Sequence, residues 1–403
     1  AAKKDSIDAI VAASDLKETA KAKAVVAVGC MAERYGTELA ESLTEADAVL
    51  GFDSYADIGA QLQAIVQGVR PESHTPIDRR KLVAKSPIDR ADAMKSAESE
   101  VLRVRLDSRP FAPLKIASGC DRRCSFCAIP RFRGAFISRR PTDIIAEAAW
   151  LAERGVKEVM LVSENSTSYG KDLGDMRLLE ALLPALSVIP GLQWIRLSYL
   201  QPAEMRPGLI TALTETPGVL PYFDMSFQHA SSSVLRKMRR FGGSNEFLEL
   251  INQIRNASPD ASIRSNLIAG FPGESEADFD ELCDFVSNAN LDAVGVFGYS
   301  DEGDTEAETF SDKLPQAEIN RRVEYLTSLV DEMVAQRAED RIGSETEFMV
   351  ESVGETIEGR TIWQGPDVDG TTSLRATAGL QIGDIRRVRI VASEGADLVA
   401  EIC

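Results

Sequence analysis

The 403-residue sequence is poor in several features that mark whole classes of protein. It has no run of about 18 apolar residues, the length that a transmembrane helix needs, so we expect no membrane span. Its first residues, AAKKDSIDAI, contain no apolar stretch of the kind found in secretory signals, and we therefore expect a cytoplasmic protein. Six cysteines in a chain of this length are too few for a disulfide scaffold.

Basic residues are also scarce. Lys and Arg number 45 against 63 Asp and Glu, which gives a net charge of -18. Nucleic acids are bound largely through Lys and Arg contacts with phosphate, so direct RNA binding is not favoured without a local basic patch. A basic protein partner would instead be attracted to this chain and would associate with it faster.

The length and patterning indicate an α/β protein with more than one domain. Residues 1–67 alternate strand-like and helix-like segments, which predicts an α/β domain with a parallel sheet. Residues 68–110 are polar and contain four prolines, which predicts a linker. The chain does not start with Met, so we expect it to begin partway into a longer protein, with the first domain incomplete.

Residues 111–341 repeat a strand-then-helix unit six times. The predicted strands are short and apolar, as in sheets buried on both faces, and start near Leu114, Lys157, Gln193, Tyr222, Ser262 and Asp292. Six units predict a partial (β/α)6 barrel, whose chemistry lies on loops after the carboxyl ends of the strands.

Residues 342–403 show short alternating segments separated by glycines, which predicts a small antiparallel β-barrel. This segment contains eleven acidic residues, five Arg and no Lys, for a net charge of -6. An RNA-binding barrel would be expected to show a basic face. The acidic character therefore favours a basic protein partner, unless it serves only solubility.

Three cysteines follow the first predicted barrel strand with the spacing Cys120-x3-Cys124-x2-Cys127. A cubane of four irons normally takes four thiolates, so three would leave one iron open to another ligand. Positive neighbours favour the ligating thiolate, and six arginines lie nearby: Arg122, Arg123, Arg131, Arg133, Arg139 and Arg140.

A structural zinc site is the alternative interpretation of this cluster. Zinc sites usually combine two Cys or Cys/His pairs. The sequence has no second pair, and its only histidines are His74 and His229. A zinc site would therefore need a distant fourth ligand, and the iron–sulfur interpretation is favoured.

The segment GCDRRCSFCAIP, from Gly119 to Pro130, resembles the radical S-adenosylmethionine (SAM) methylthiotransferases, as do Arg133-Gly134 and Ser138-Arg139. The resemblance implies a methylthiotransferase N-terminal domain at 1–67, a linker at 68–110, a radical SAM core at 111–341 and a TRAM domain at 342–403. It also implies a 4Fe-4S cluster, SAM and an electron donor. In that family the open iron binds SAM, and one electron cleaves it to a 5′-deoxyadenosyl radical that removes hydrogen from carbon.

Two branches of that family differ in substrate. Residues 161–170, LVSENSTSYG, and residues 299–302, YSDE, resemble the branch that acts on a ribosomal protein. This predicts transfer of a methylthio group to the β-carbon of an aspartate in small-subunit ribosomal protein twelve. The alternatives are a tRNA adenosine methylthiotransferase, or a truncated cluster-binding protein without sulfur transfer.

The resemblance also assigns site residues. Phe126 matches the position whose backbone meets the adenine of SAM. Residues that match regions lining SAM are Ser163, Glu164, Asn165, Gln228, Ile268 and Gly270. Cys30 resembles the third of three N-terminal cysteines that hold a second cluster, and the other two would lie upstream of Ala1. From the residues alone, Cys30 could equally be a buried small apolar residue after a strand.

Overall fold

The computed structural model describes residues 2–81, 105–375 and 379–403, which form two compact units. The first unit contains residues 2–81 with Gly119–Asp121 and Ala128–Ile137, and the second contains the other described residues. Residues 82–104 of the predicted linker 68–110 lie outside the described residues. No helix within the described ranges is long and apolar enough to span a membrane.

The regular elements follow the order that the sequence predicts. The helices are α1 (Ala2–Thr19), α2 (Cys30–Ser42), α3 (Ile58–Val66), α4 (Ile129–Arg133), α5 (Pro141–Glu153), α6 (Leu178–Ser187), α7 (Pro207–Glu215), α8 (Ser232–Lys237), α9 (Ser244–Ala257), α10 (Glu276–Ala289) and α11 (Gln316–Glu339). The strands are β1 (Val26–Ala27), β2 (Ala48–Val49), β3 (Phe111–Lys115), β4 (Ala117–Ser118), β5 (Ile137–Ser138), β6 (Glu158–Val162), β7 (Trp194–Leu197), β8 (Tyr222–Gln228), β9 (Ser262–Ala269), β10 (Ala293–Gly298), β11 (Glu345–Val353), β12 (Ile357–Thr361), β13 (Thr372–Leu374), β14 (Ile385–Glu394) and β15 (Asp397–Ile402).

The first unit has an α/β arrangement in which β1 and β2 pair in parallel. The segment after α3 runs beside β2, where the amide of His74 donates to the carbonyl of Val49 at 3.0 Å. Farther along, Arg79 Nε donates to Glu33 Oε1 at 2.5 Å. A Cβ on Gly36 would collide with the carbonyl oxygen of His74, so glycine permits this close approach.

The second unit contains the predicted partial barrel. Its six parallel strands form two sheets, ordered β3-β6-β7 and β8-β9-β10. Isolated parallel bridges, Ile195 to Val219 and Leu200 to Met225, join the two sheets. Each strand starts within three residues of its predicted position. The sequence interpretation of this barrel is confirmed.

Local signals place the barrel helices as expected. Helix α5 begins at Pro141 and is followed by Gly155, whose φ of 87° suits the left-handed turn that ends a helix. Helix α10 begins with a capping box. Ser275 Oγ accepts from the amide of Asp278 at 3.2 Å, and Asp278 Oδ2 accepts from the amide of Ser275 at 2.9 Å.

The C-terminal strands form a closed barrel in the order β11-β12-β13-β15-β14. Its core contains Phe348, Val350, Trp363, Val388 and Ile390. The sequence predicted an antiparallel barrel, but β13 and β15 pair in parallel. Alternation of apolar residues reports which face is buried and carries no information on strand direction, so this pairing could not be predicted.

A buried charged network joins the C-terminal barrel to the amino ends of the parallel strands. Glu158, the first residue of β6, accepts from Arg196 Nε and Arg360 Nη2, both at 2.6 Å. All three side chains are at most 1% exposed. Burial alone would raise the pKa of Glu158, but the two guanidinium groups outweigh it and lower that pKa below its ordinary value.

We expect Glu158→Gln to lower the free energy of unfolding by ~3–5 kcal/mol, because it leaves Arg196 buried without a counter-charge and leaves Arg360 paired only with Glu351. The Glu158 pKa is lowered from 4.5, so this contribution is present above that value and is lost as pH falls through the lower folded-state pKa. Urea unfolding at several pH values measures both effects.

The matched control is Glu345→Gln, which removes an exposed carboxylate paired with Arg387 and Arg389. Exposed pairs contribute little, so we expect almost no change in the unfolding midpoint. Equal effects of the two substitutions would contradict a structural role for the buried network.

Candidate active site

Polar and sulfur-bearing loops follow five of the parallel strands at their carboxyl ends. They are the cysteine loop 119–128 after β3, residues 163–168 after β6, residues 198–204 after β7, Gln228 at the end of β8 and residues 270–274 after β9. Parallel strands end at the same edge of a barrel, so the topology gathers these loops there.

A buried serine fixes the cysteine loop. Ser125 is 1% exposed and lies between Cys124 and Phe126. Its amide donates to the carbonyl of Met238 at 3.2 Å, and its Oγ donates to the carbonyl of Lys237 at 2.8 Å. Its own carbonyl accepts from the amide of Ala307 at 2.8 Å. Segments that follow β8 and β10 therefore hold the middle of the loop, a role that the cysteine spacing did not reveal.

Within the first unit, the start of the loop has its own restraints. The amide of Cys120 donates to the carbonyl of Gly134 at 3.2 Å, and Asp121 Oδ1 accepts from the amide of Phe136 at 3.0 Å. Gly119 has a φ of 81°, and a Cβ there would collide with the carbonyl of Ala135. Only glycine satisfies both conditions without strain.

The thiols suit an iron–sulfur cluster by their chemistry. Cys120, Cys124 and Cys127 are half-buried, and none of the three forms a disulfide. Arg240 Nη1 lies 4.0 Å from Cys124 Sγ. Soft thiolate donors on one short loop fit iron–sulfur binding. Among residues 2–81, 105–375 and 379–403, no three His, Cys, Asp or Glu side chains lie in metal-binding geometry.

Glu204, which the sequence analysis missed, connects the cysteine loop to the loop after β6. Its carboxylate accepts from Arg122 Nη2 at 2.5 Å. It also accepts from Asn165 Nδ2 at 3.1 Å, Thr167 Oγ1 at 3.0 Å and Ser168 Oγ at 2.8 Å. Burial would raise the pKa of Glu204, but Arg122 and these donors outweigh it and lower that pKa. An acid just after a predicted strand end was the only sequence signal.

The predicted SAM-lining residues after β6 support one another. Ser163 and Asn165 are buried, and Ser163 Oγ accepts from the amide of Asn165 at 3.1 Å. Asn165 Oδ1 accepts from Thr167 Oγ1 at 2.5 Å. Glu164, between them, is half-buried. Asn165 is thus held in place by hydrogen bonds on both sides of its amide group.

Two non-glycine residues at strand ends adopt left-handed backbone conformations. Gln228, a predicted SAM-lining residue, has a φ of 70°, and Tyr199 after β7 has a φ of 58°. Such conformations are uncommon for these residue types and often mark functional sites. The Tyr199 side chain is 47% exposed, and its carbonyl accepts from the amide of Ser166 at 3.0 Å.

The remaining predicted SAM-lining residues are Phe126, Gly270 and Ile268. The ring of Phe126 packs edge-on against Phe271, with centroids 6.5 Å apart. Gly270 has a φ of 78°, and its amide donates to Glu274 Oε2 at 2.9 Å. Ile268 is half-buried and pairs in register with Phe297 on β10, which is 51% exposed. Phe297, which the sequence analysis did not single out, thus lies beside Ile268 on the neighbouring strand.

Cys30, in the first unit, begins helix α2 and is exposed. The alternative of a buried apolar role is therefore wrong, because the side chain is not covered. Arg133 Nη2 lies 3.0 Å from Cys30 Sγ, and the same guanidinium lies over the ring of Phe52 at 4.9 Å. The arginine is thus oriented toward the sulfur.

We expect Glu204→Ala to loosen the cysteine loop, because Arg122 loses its carboxylate partner. Alkylation of the apoprotein by iodoacetamide should then modify Cys124 and Cys127 several-fold faster, as read by mass spectrometry. The control is Glu180→Ala, which removes a similar carboxylate paired with Arg206 at 2.6 Å and outside the cysteine loop. Unchanged alkylation in Glu204→Ala would show that this carboxylate does not restrain the loop.

Comparison with known proteins agrees with the fold. Residues 114–286 match the Radical SAM superfamily, and residues 342–403 match the TRAM domain. A solved structure of the radical SAM methyltransferase TsrM from Kitasatospora setae, with tryptophan substrate and a SAM analog bound, is similar with a TM-score of 0.50 and 15% identity. That similarity covers 72% of this chain and 57% of the other, and shows a shared fold.

Curated relatives match almost the whole chain. The ribosomal protein uS12 methylthiotransferase RimO of Kineococcus radiotolerans is 57% identical over 99% of this chain and 86% of that protein. The protein of the same name from Saccharopolyspora erythraea is 56% identical over 99% of this chain and 84% of that protein. These matches confirm the predicted family: the chain belongs to the RimO family of radical SAM methylthiotransferases.

Proposed function

We propose that this protein adds a methylthio group to the β-carbon of an aspartate in the small-subunit ribosomal protein uS12. The observation that carries the proposal is the 57% identity to a uS12 methylthiotransferase over 99% of the chain. The three cysteines of the loop after β3, which form no disulfide, supply the thiol chemistry that such an activity requires.

Cys120, Cys124 and Cys127 would hold a 4Fe-4S cluster and leave one iron open to SAM. When bound, the cluster and SAM supply the one-electron chemistry that removes hydrogen from an unactivated carbon. The protein supplies position and exclusion of water. Ser125 keeps the cysteine loop seated, and the Arg122–Glu204 pair connects it to Asn165.

The residues proposed to line SAM have distinct tasks. The backbone of Phe126 would meet the adenine, and Gly270 would allow close approach because it has no side chain. The polar contacts would come from Ser163, Glu164, Asn165 and Gln228, with Ile268 as an apolar contact. The supporting observation is that these residues follow, or end, strands whose carboxyl ends share one edge.

Charge supports a basic protein as the substrate. The chain has a net charge of -18, and residues 342–403 contribute -6 of it. Long-range attraction of this kind accelerates the encounter with a basic partner and disfavours nucleic acid. A one-electron donor would be a second partner, and the cytoplasm, where ribosomal proteins are made, would be the location.

The N-terminal region would serve sulfur transfer. We assign residues 1–67 to a methylthiotransferase domain, 68–110 to a linker, 111–341 to the radical SAM core and 342–403 to the TRAM domain. Within the first of these, Cys30 would be one ligand of a second cluster. Its exposure, which leaves the sulfur accessible to a cluster, supports a ligand role there, and the Arg133 guanidinium lies 3.0 Å from that sulfur.

The substrate is tested with full-length protein, reconstituted anaerobically with iron, sulfide, SAM and a chemical reductant. It is incubated separately with uS12 and with tRNA, and the products are analysed by mass spectrometry. Methylthiolation of an aspartate in uS12 is expected. Modification of tRNA alone would reject the proposal in favour of a tRNA methylthiotransferase.

We expect Cys124→Ala to abolish both 5′-deoxyadenosine production and methylthiolation, at least 100-fold below wild type, because two thiolates would not retain the cluster. The matched control is Cys283→Ala, which removes a half-buried thiol on α10 whose pKa burial raises to about 11. That variant should keep wild-type rates. Retained 5′-deoxyadenosine production in Cys124→Ala, with an unchanged circular dichroism spectrum, would contradict the assignment.

A separate result is expected for Cys30→Ala. Reductive cleavage of SAM should continue, because the loop of Cys120 is intact, while sulfur insertion into uS12 stops. Iron and acid-labile sulfide should fall by about one cluster's content. If the variant still methylthiolates uS12 at the wild-type rate, Cys30 is not a ligand for the sulfur-supplying cluster.

A further inference from the structure

An open groove of about 280 Å³ lies in the second unit, beside the carboxyl end of β7. Pro202 and Ala203 form one wall, and Glu246, Glu249 and Leu250 of helix α9 form the other. Phe241 borders the groove between them. None of the residues assigned above to the cluster or to SAM lines it.

Phe241 is 79% exposed because of the backbone that follows it. Gly242 has a φ of 128°, and a Cβ there would collide with the ring of Phe247. Phe247 is itself 3% exposed and packs on Phe227 with centroids 4.6 Å apart. The turn at Gly242 thus allows Phe247 to be buried in the core, while Phe241 remains exposed to solvent. An exposed aromatic beside a groove is a common anchor point for a protein partner.

The helix wall of the groove is acidic. Glu246 and Glu249 are exposed on α9, and neither forms an ion pair with any Lys or Arg within the described residues. Glu249 has only a weak contact with Gln253 Nε2 at 3.5 Å. The groove therefore combines two carboxylates that lack a basic partner among the described residues with apolar side chains such as Phe241 and Leu250. Such a surface is complementary to a segment that combines Lys or Arg with apolar side chains.

Two residues that line the groove are chain neighbours of residues that contact the cysteine loop. Ala203 precedes Glu204, whose carboxylate binds Arg122 at 2.5 Å. Phe241 follows Arg240, which contacts Cys124 Sγ at 4.0 Å and donates to the carbonyl of Ser226. A segment bound in the groove would therefore contact the chain neighbours of Glu204 and Arg240.

We infer that this groove docks a basic segment of the protein substrate, with Phe241 as the apolar anchor and Glu246 and Glu249 as partners for its Lys or Arg side chains. The inference rests on the proposed function and adds the docking site to it. Phosphate-rich RNA is disfavoured in the groove, because its two free carboxylates would repel it.

The test measures binding of fluorescently labelled uS12 to the reconstituted full-length protein by anisotropy. Phe241→Ala should raise Kd about tenfold, as expected for loss of an aromatic anchor. Glu246→Lys should raise Kd about tenfold at low salt and reduce the salt dependence of binding. Production of 5′-deoxyadenosine without uS12 should stay at the wild-type rate, because neither residue contacts the cysteine loop.

Val188→Ala and Glu332→Lys serve as matched controls, because both positions are exposed and lie outside the groove. Both should bind uS12 like wild type. If wild type binds and modifies uS12 but the groove variants bind it equally well, the groove assignment is overturned while the proposed function stands. If the wild-type protein modifies tRNA and not uS12, the proposed function is rejected, and the groove assignment is rejected with it. Loss of tRNA binding alone in the groove variants would also overturn the inference.

Discussion

The proposed chemistry depends on how firmly the protein holds a loop that carries three thiols. One buried serine and one half-buried carboxylate provide this restraint. Ser125 makes three hydrogen bonds to segments after β8 and β10, and Glu204 ties Arg122 to the loop after β6. Burying a polar group without a hydrogen-bond partner costs free energy. The conformation of the cysteine loop in which these bonds form is therefore the stable one.

A chain of hydrogen bonds runs from the C-terminal barrel through the parallel strands to Tyr199, which follows β7. Asp369, from the C-terminal barrel, accepts from Arg264 Nε at 2.8 Å, and Arg264 Nη1 donates to Asp224 Oδ1 at 3.0 Å. Asp224 Oδ2 in turn accepts from the amide of Tyr199 at 3.0 Å. Charged groups buried in a low-dielectric interior interact strongly. The C-terminal barrel thereby supports the left-handed conformation of Tyr199, which lies at the carboxyl end of β7.

Much of the fold could be predicted because its signals are local. Six apolar strands, the proline at position 141 and the Ser275 capping box each report a conformation from a few neighbouring residues. The segment from Gly119 to Pro130, which contains the three cysteines, is equally local, and it carried the resemblance to the methylthiotransferases. The parallel pairing of β13 with β15 and the exposure of Cys30 were not predictable, since both depend on partners distant in the chain.

The sequence by itself determined the order of elements, the thiol donor set and the acidic charge that favours a basic substrate. The tertiary structure alone decided that Glu204 restrains Arg122, that Glu274 accepts from the amides of Gly270 and Phe271, and that Phe241 stands free beside an acidic helix. The physical reason is that burial and hydrogen bonding bring together residues far apart in the chain. Glu204 and Arg122 are 82 positions apart, a separation that no local pattern reports.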